Sequence, residues 1–268
     1  MISIILTSYN RRDFLRESLQ SLAEQDYVGT KQLILCDDGS TDGSLEMAEQ
    51  FRLDFDDFQI IQENPTKEQR LGEVRYVKLI NRALPLCTEK YITYATDDDL
   101  YHPERLRKLV EFLETHPDVY LSYHFMKIFR VSKTGGVIEL IWDLCHEWNR
   151  GTEYWVRNIW NLIDHSSYMH RNLKWKPTSS PSLDGRGKGE GANIFWNEGP
   201  KFMRCGDWGF LLSALDAGYR FAHIFEYLAI GRKIEGQSLH FDGVEEYLHS
   251  CHSQRSEESL SKEAKCVS

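Results

Sequence analysis

The sequence lacks two features that would tie it to a membrane or to a nucleic acid. A bilayer-spanning helix needs about 20 consecutive apolar residues, and no such run occurs in these 268 residues. The formal net charge of -9 argues against a nucleic-acid surface, which is normally basic. It also provides no general attraction to anionic lipids. We therefore expect neither a transmembrane segment nor a nucleic-acid partner.

Leader and cysteine motifs are missing as well. The first residues, MISIILTSYN, have no basic flank and no small-residue cleavage site, so we do not expect them to act as a signal peptide. The 6 cysteines are scattered without the paired spacing of a zinc site. Reduced thiols are the simplest interpretation. These absences together predict a cytoplasmic protein.

Several enzyme classes are excluded by motifs that do not occur. The segment after the first apolar run, LTSYNRRDF, contains no G-x-G-x-x-G, which a Rossmann dehydrogenase requires there. It also lacks the glycine-rich basic loop of a sugar-1-phosphate nucleotidyltransferase. No G-x-S-x-G elbow supports a Ser-His-Asp hydrolase. A processive polysaccharide synthase would add membrane helices and a Q-x-x-R-W motif, and neither is present.

What the first half does contain is a regular alternation of strand and helix patterns. Strand patterns, with the turn residues that end them, occupy residues 2–10, 31–44, 58–64 and 90–96, and helical patterns occupy residues 11–25, 73–87 and 102–117. This alternation predicts an α/β fold with parallel strands and right-handed crossovers. Ligands of such sheets collect at the carboxyl ends of the strands.

Polar clusters follow three of these predicted strands. They are Thr7–Asn10, Asp37–Asp42 and Asp97–Asp99. The last cluster is unusual because like charges about 4 Å apart cost about 1 kcal/mol in water and about 4 kcal/mol at an effective dielectric of 20. Either the three carboxylates lie in a solvated turn before a helix, or a positive charge sits among them.

The second half is less regular. Strand patterns flank a turn at Gly135–Gly136, and a helical pattern covers residues 206–219. The tryptophan-rich segment 142–160 either packs in the core or stacks on sugars. The glycine-rich stretch 178–193 is either a lid or an inert linker.

The ordered set of motifs resembles a known family. SIILTSYN, CDDGSTDGS and YITYATDDDLYHPERL are similar to the nucleotide-binding half of GT-A glycosyltransferases of family 2. RLGEVRYVKLIN and IDHSSYMHR further resemble the members that make spore-coat polysaccharide in bacilli. The resemblance is close over about residues 1–130 and weaker to about residue 241. It implies a GT-A fold, in which a Rossmann-like, mostly parallel sheet flanked by helices is joined to a mixed acceptor-side half.

This resemblance also implies a division of the chain. Residues 1–100 would form the half that binds the nucleotide sugar. Residues 101–250 would form the acceptor-binding and catalytic half of the same domain. Residues 251–268 look like a polar tail.

The donor implied is a UDP- or dTDP-sugar. A pyrimidine base offers one imide N–H, which Asp38 could accept, with Thr7 nearby and Tyr9 available for stacking. Asp37 and Asp38 could instead form only an Asx-type turn, and Tyr9 could simply pack. Arg70 matches the family arginine that reaches into the nucleotide pocket, and Arg75 could serve instead.

The acidic triplet is the predicted cation site. Mn²⁺ or Mg²⁺ bridging two phosphate oxygens would stabilise the departing diphosphate. The resemblance puts Asp97 near the ribose or the metal and Asp98 on the metal. Asp99 replaces a neutral residue expected there, so the choice of ligand between Asp98 and Asp99 stays open. The alternative is a solvated loop in which Asp99 favours the positive end of the next helix.

Transfer to a saccharide or other hydroxyl acceptor needs a carboxylate base if the anomeric configuration inverts. Asp207 matches the family base, although a helix start also favours Asp for capping. Asp164 is the second candidate, and His165 and His170 are interpreted as core residues. The sequence thus predicts a non-processive, metal-dependent glycosyltransferase of polysaccharide biosynthesis. The alternative is a non-catalytic homologue that only binds a nucleotide sugar.

Overall fold

The computed structural model describes residues 1–144, 156–157, 163–174, 196 and 206–235. Its strands are β1 (Ile2–Ser8), β2 (Lys31–Asp37), β3 (Asp57–Gln62), β4 (Tyr91–Thr96), β5 (Leu100–Tyr101), β6 (Leu121–Val131), β7 (Val137–Leu144), β8 (Tyr168–Arg171) and β9 (Phe221–Ile234). The helices are α1 (Arg12–Ala23), α2 (Ser44–Ala48), α3 (Lys67–Gly72), α4 (Arg75–Ala83), α5 (Arg105–Thr115) and α6 (Gly206–Asp216). Short 3₁₀ turns cover Glu49–Asp54, Leu84–Leu86 and His165–Ser167.

The first half is a parallel sheet, as the alternation predicts. β1 pairs in parallel with β2 on one side and with β4 on the other, and β3 extends the sheet beyond β2. Every residue of β1 is buried, which is expected of a β-branched strand covered by helices on both faces. The carboxyl ends of β1, β2 and β4 therefore lie side by side.

Two apolar clusters cover the two faces of this sheet. One includes Leu15 and Leu19 of α1 and Leu109 of α5. The other includes Ile80 of α4 and Phe210 of α6. All five side chains are fully buried, and each such burial stabilises the fold by about 1.5–3 kcal/mol.

The second half continues the same sheet with mixed directions. β8 lies antiparallel between β4 and β6, β9 runs parallel to β6, and β5 pairs antiparallel with β9. The full order is β3-β2-β1-β4-β8-β6-β9-β5, with β7 beside β6. The α/β prediction is confirmed, but our sequence analysis assigned no strand to residues 221–234, which form the long strand β9.

Some sequence expectations fall outside the described residues. These are the glycine-rich stretch 178–193, most of the tryptophan-rich segment and the polar tail 251–268. Within the described ranges, no helix has the length and apolar character needed to cross a membrane. One sheet runs through both predicted halves of the chain, and their functional division near residue 100 stays a prediction.

Candidate functional site

The loops that follow β1 and β2 are bonded to each other. Asn10, at a positive φ of 49°, accepts a hydrogen bond at Oδ1 from the Thr41 backbone N–H at 2.8 Å. Its own N–H donates to Ser40 Oγ at 2.9 Å. The Arg12 N–H donates to Asp42 Oδ2 at 2.9 Å. These bonds fix the two loops as one surface beside the strand ends.

Asp37 forms the Asx-type turn that the sequence left open for this pair of aspartates. Its Oδ2 accepts hydrogen bonds from the N–H groups of Gly39 at 3.0 Å and Ser40 at 2.8 Å. Gly39 adopts a φ of +81°, and a Cβ there would lie 2.7 Å from the carbonyl oxygen of Glu63. Asp37 thus accepts the hydrogen bonds of the turn, and the neighbouring Asp38 carboxylate is left to pair with other side chains.

Asp38 is held by both arginines that the sequence proposed. Arg70 Nη1 donates to its Oδ2 at 2.6 Å, and Arg75 Nε donates to its Oδ1 at 3.0 Å. Burial raises the pKa of Asp38, and the two guanidinium groups offset this only in part. Arg75 also pairs with Glu63 and Glu73, so a network rather than one ion pair positions this carboxylate.

Arg70 is positioned by α3, a helix that the sequence analysis missed. Thr66 Oγ1 accepts from the Gln69 N–H at 3.3 Å, and Gln69 Oε1 accepts from the Thr66 N–H at 2.8 Å. This is a capping box, and its signature T-x-x-Q was readable in the sequence. The helix brings the Arg70 guanidinium to 3.8 Å from the centre of the Tyr9 ring.

Tyr9 and Thr7 link this region to the acidic triplet. The Tyr9 backbone N–H donates to Asp97 Oδ2 at 3.0 Å, and the Asp97 N–H donates to the Thr7 carbonyl at 3.2 Å. The Tyr9 side chain is 41% exposed, so its ring is available to a ligand. The predicted nucleotide-binding residues thus form one continuous set at the strand ends.

The positive charge expected among the three carboxylates is supplied in part by the chain itself. One atom, Arg11 Nη1, donates to Asp97 Oδ1 at 2.8 Å and to Asp98 Oδ2 at 3.0 Å. All three aspartates are buried. Burial raises the pKa of Asp97 to about 6 even though Arg11 opposes the shift. The triplet is therefore a buried, partly neutralised cluster, which is not the solvated turn of the alternative.

Asp99 points toward the second half of the chain. Its Oδ2 accepts from Ser166 Oγ at 2.5 Å, and its Oδ1 accepts from the Arg232 N–H at 3.3 Å. Burial raises the pKa of Asp99 to about 7, and the charges of Asp98 and Asp164 add to the shift. Ser166 Oγ also lies 2.8 Å from Asp164 Oδ1. A single hydroxyl group thus joins Asp99 to the predicted acceptor side.

A buried arginine holds Ser166 in place. Arg105 Nη2 donates to the Ser166 carbonyl at 2.7 Å and to Thr93 Oγ1 at 2.9 Å. Its Nε donates to His124 Nε2 at 3.0 Å. Burial lowers the pKa of Arg105 to about 10, so the guanidinium stays charged at neutral pH. It sets the position of the turn that carries Ser166.

β9 adds two further cations. Arg232 Nε donates to the Asp98 carbonyl at 2.6 Å, and its guanidinium also pairs with Glu17 of α1. Burial alone would lower the pKa of Lys233, but the charges of Asp98, Asp99 and Asp164 outweigh it and raise that pKa. Neither residue was predicted, because the strand that carries them was not recognised.

The two candidate bases have opposite pKa shifts. Burial raises the pKa of Asp207 to about 6, with His165 opposing and Asp164 reinforcing the shift. Burial alone would raise the pKa of Asp164 as well. The charges of His165 and Lys233 and two hydrogen bonds from Ser166 outweigh burial and lower that pKa. Asp207 lies in the first turn of α6. Its Oδ1 accepts from the Trp208 N–H at 2.9 Å.

The two histidines differ. His170 lies in the core between the hydroxyl groups of Tyr94 at 2.8 Å and Tyr120 at 3.1 Å, and burial lowers its pKa to about 4. His165 instead stacks on Tyr76 with ring centres 5.6 Å apart. Its buried Nε2 has no hydrogen-bond partner among the described residues. Only His170 has the satisfied core environment expected for both.

The acidic triplet suits a divalent cation that the substrate helps to hold. No group of three or more His, Cys, Asp or Glu side chains in the described ranges is arranged as a metal cage. Mg²⁺-type ions, however, are commonly bound by one or two carboxylates together with substrate phosphates. Asp98 Oδ1 receives no hydrogen bond from the described residues, whereas both oxygens of Asp99 do. The geometry favours Asp98 over Asp99 as the ligand.

Curated relatives match parts of this chain. Protein CgeD of Bacillus subtilis is 31% identical over 172 residues, which is 63% of this chain and 38% of that protein. The putative glycosyltransferase EpsE of the same organism is 38% identical over 115 residues, 43% of this chain and 39% of EpsE. The chain therefore spans about two fifths of the length of these relatives.

Solved structures share the fold. Residues 1–349 of Staphylococcus aureus TarS in complex with UDP-GlcNAc give a TM-score of 0.63 at 19% identity, covering 88% of this chain and 59% of that one. The mannosyltransferase PcManGT of Pyrobaculum calidifontis, in complex with GDP-Man and Mn²⁺, gives 0.54 at 15% identity, covering 87% and 56%. These similarities establish the predicted GT-A fold.

A family model decides the family. The model described as Glycosyl transferase family 2 matches residues 3–176. That match covers β1 to β8 and includes every predicted site residue except Asp207. It confirms the resemblance carried by the strand-end motifs: this chain belongs to glycosyl transferase family 2.

Proposed function

We propose that this chain is a non-processive glycosyltransferase with a UDP- or dTDP-sugar donor and a saccharide hydroxyl as acceptor. It uses a divalent cation, inverts the anomeric carbon and works in surface or spore-coat polysaccharide biosynthesis. Similar proteins support the donor class, because two TarS structures contain UDP and UDP-GlcNAc. TarS itself is named a poly(ribitol-phosphate) β-N-acetylglucosaminyltransferase, which supports a saccharide-containing polymer as the product.

One observation carries the proposal. The Ser166 hydroxyl lies 2.5 Å from Asp99 and 2.8 Å from Asp164. It therefore connects the acidic end of β4 with the turn that carries a candidate base. A donor bound along the ends of β1, β2 and β4 would present its reactive end to that turn. A protein that only bound nucleotides would not need this second group of carboxylates.

Asp38 and Tyr9 would recognise the base of the nucleotide. A carboxylate oxygen of Asp38 can accept the imide N–H of uracil or thymine, and its two arginine partners hold it in place. The exposed Tyr9 ring offers a stacking face, which is worth about 1–3 kcal/mol per base in nucleic-acid-binding proteins. The other face is taken by the Arg70 guanidinium.

The diphosphate would lie near Asp98. Mg²⁺ or Mn²⁺ bound there would act as a Lewis acid that stabilises the leaving diphosphate. The chain's own contribution is positional. Tyr9 and Arg11 fix the Asp97 carboxylate, Arg232 fixes the Asp98 backbone, and Lys233 adds positive charge to the same cluster.

Asp207 is the better candidate for the base. Proton transfer is most efficient when the pKa of the base lies near the working pH, and Asp207 has a pKa of about 6. It is ionised at pH 7 and still basic enough to take a hydroxyl proton. Asp164, whose pKa is lowered and whose Oδ1 is bonded to Ser166, is the weaker base. We assign Asp164 the role of orienting the acceptor and not that of the base.

A donor panel tests the proposal. The protein is incubated with UDP-, dTDP- and GDP-sugars and Mn²⁺, and nucleotide release is measured beside the thermal shift. We expect release from at least one pyrimidine donor. A thermal shift without release from any donor, with candidate acceptors present, would instead favour the nucleotide-sugar-binding homologue.

A matched pair of variants tests the cation site. Asp98→Asn should lose the Mn²⁺ dependence of UDP binding, because it removes the carboxylate with the open oxygen. Asp99→Asn should keep that dependence, since Asp99 is bonded to Ser166 and Arg232. Titration calorimetry with and without Mn²⁺ measures both. Equal UDP affinity with and without the cation in the wild-type protein would contradict the metal assignment.

A further inference from the structure

Arg11 occupies the place where a cation would be expected. Its Nη1 lies 2.8 Å from Asp97 Oδ1 and 3.0 Å from Asp98 Oδ2. The residue stands in the short connection between β1 and α1, and 28% of its side chain is exposed. It therefore bridges the two carboxylates while remaining partly exposed to solvent, unlike a fully buried ion pair.

The rest of the Arg11 guanidinium is not engaged by the described residues. Its hydrogen bonds to the described residues all come from Nη1, so Nε and Nη2 have no partner within the described ranges. A guanidinium presents five N–H donors in a planar fork, which matches a phosphate group. Arg11 thus has donors available for an anion while it still contacts Asp97.

A divalent cation and Arg11 would compete for Asp98. A cation and the Arg11 guanidinium bound to the same carboxylate would repel each other, and this repulsion is strong because the two charges would lie only a few ångströms apart. Asp97 has a second partner in the Tyr9 N–H. Asp98 has the Arg232 bond only at its carbonyl oxygen. When Arg11 leaves Asp98, the Asp98 carboxylate therefore needs a new positive partner, and the bound cation would supply that charge.

We propose that Arg11 is the resident counter-ion of the acidic triplet before the donor binds, and that it moves from Asp98 to a donor phosphate when the divalent cation binds Asp98. This inference rests on the proposed function. Asp97 remains its anchor throughout. Lys233, whose charge interacts with Asp98, Asp99 and Asp164, limits the repulsion among the carboxylates during the exchange.

The test compares Arg11→Met with Arg12→Met, a control that removes the neighbouring exposed arginine. Mn²⁺ binding without nucleotide is measured by the electron paramagnetic resonance of the free ion. UDP binding at saturating Mn²⁺ is measured by calorimetry. Arg11→Met should bind Mn²⁺ alone about tenfold more tightly and UDP about tenfold more weakly, because one charge-assisted bond is lost in each state. Arg12→Met should change neither affinity.

A second measurement avoids the need for Arg11→Met to fold. The Nε–H resonance of Arg11 is followed by NMR in the wild-type protein, with Mg²⁺ in place of Mn²⁺, and is assigned with Arg11→Lys. It should shift when Mg²⁺ displaces the guanidinium from Asp98 and shift again when UDP is added.

The outcomes separate the two proposals. Two results would show that Arg11 only forms a structural ion pair. One is an unchanged Mn²⁺ affinity in a folded Arg11→Met protein, and the other is an Arg11 resonance that does not shift when UDP binds. A wild-type protein that shows the exchange but releases no nucleotide from any donor would contradict the proposed transfer and leave this inference standing. A wild-type protein that binds neither Mn²⁺ nor UDP would overturn both.

Discussion

Replacing Asp207 by Asn should stabilise the protein at neutral pH while it removes the proposed catalytic base. The folded pKa of Asp207 is about 6 against a usual 3.8, a difference of about 2 units. At 1.36 kcal/mol per unit, ionisation of this carboxyl costs the folded state about 3 kcal/mol. The side chain is partly exposed, so solvent screening reduces this cost. Loss of a negative charge at the start of α6 offsets a further 0.3–1 kcal/mol or so. A net gain of about 1–2 kcal/mol is expected.

The gain has a defined pH dependence. Because the pKa is raised on folding, the folded state holds its proton more tightly than the unfolded chain does. Wild-type stability therefore suffers most above pH 6, and the penalty disappears as the pH falls toward 3.8. The advantage of Asp207→Asn should be largest at pH 7.5 and nearly absent near pH 4. The amide can still accept the Trp208 N–H through its carbonyl oxygen.

Urea denaturation at the two pH values measures this effect, and nucleotide release measures the catalytic loss. Release should fall by about 100-fold or more, the usual contribution of a general base. Asp216→Asn, at the exposed end of the same helix, should change stability by less than about 1 kcal/mol. A loss of stability in Asp207→Asn at pH 7.5 would refute the argument, because it would show that this carboxylate serves the helix as a cap.

Three further results are expected. The kcat/KM of the wild-type enzyme should fall as the pH drops below about 6, because Asp207 becomes protonated; a profile that is flat to pH 5 would contradict its role. Gly39→Ala should lower the free energy of unfolding by about 2 kcal/mol or more in urea, since φ is +81° and the new Cβ would meet the Glu63 carbonyl; Gly135→Ala, at a similar φ but with open space, is the control. Asp38→Asn should weaken UDP binding about tenfold in calorimetry. An unchanged UDP affinity would show that Asp38 does not bind the nucleobase.

The residues that sequence reasoning found share a physical reason. A parallel sheet brings the carboxyl ends of β1, β2 and β4 to one edge, so polar residues at those ends must be neighbours. Asp38 and Arg70 required more, since their contact depends on α3. The family resemblance singled out both residues, and the structure adds their direct contact.

What the sequence could not give depends on long-range pairing. Arg232 and Lys233 reach the acidic triplet because β9 lies between β6 and β5, and no local pattern specifies that register. The run of three aspartates is likewise uninformative about which carboxylate faces which partner. The contacts of Asp99 with Ser166 and with the Arg232 N–H assign it to the second half of the chain. Arg11 could have been singled out, because a cation directly after a strand-end motif is a local feature.

The bond from Arg232 to the Asp98 carbonyl spans 134 positions of the chain. At synthesis rates of about 5–20 residues per second, Asp98 leaves the ribosome about 7–27 seconds before Arg232 does. During that interval the nascent protein can assemble its first four strands, with Arg11 as the nearest neutralising group for the acidic loop. A nascent chain that stalls before β9 is made would therefore already contain Asp38 with its partners Arg70 and Arg75, while its acidic loop would still lack the bond from Arg232.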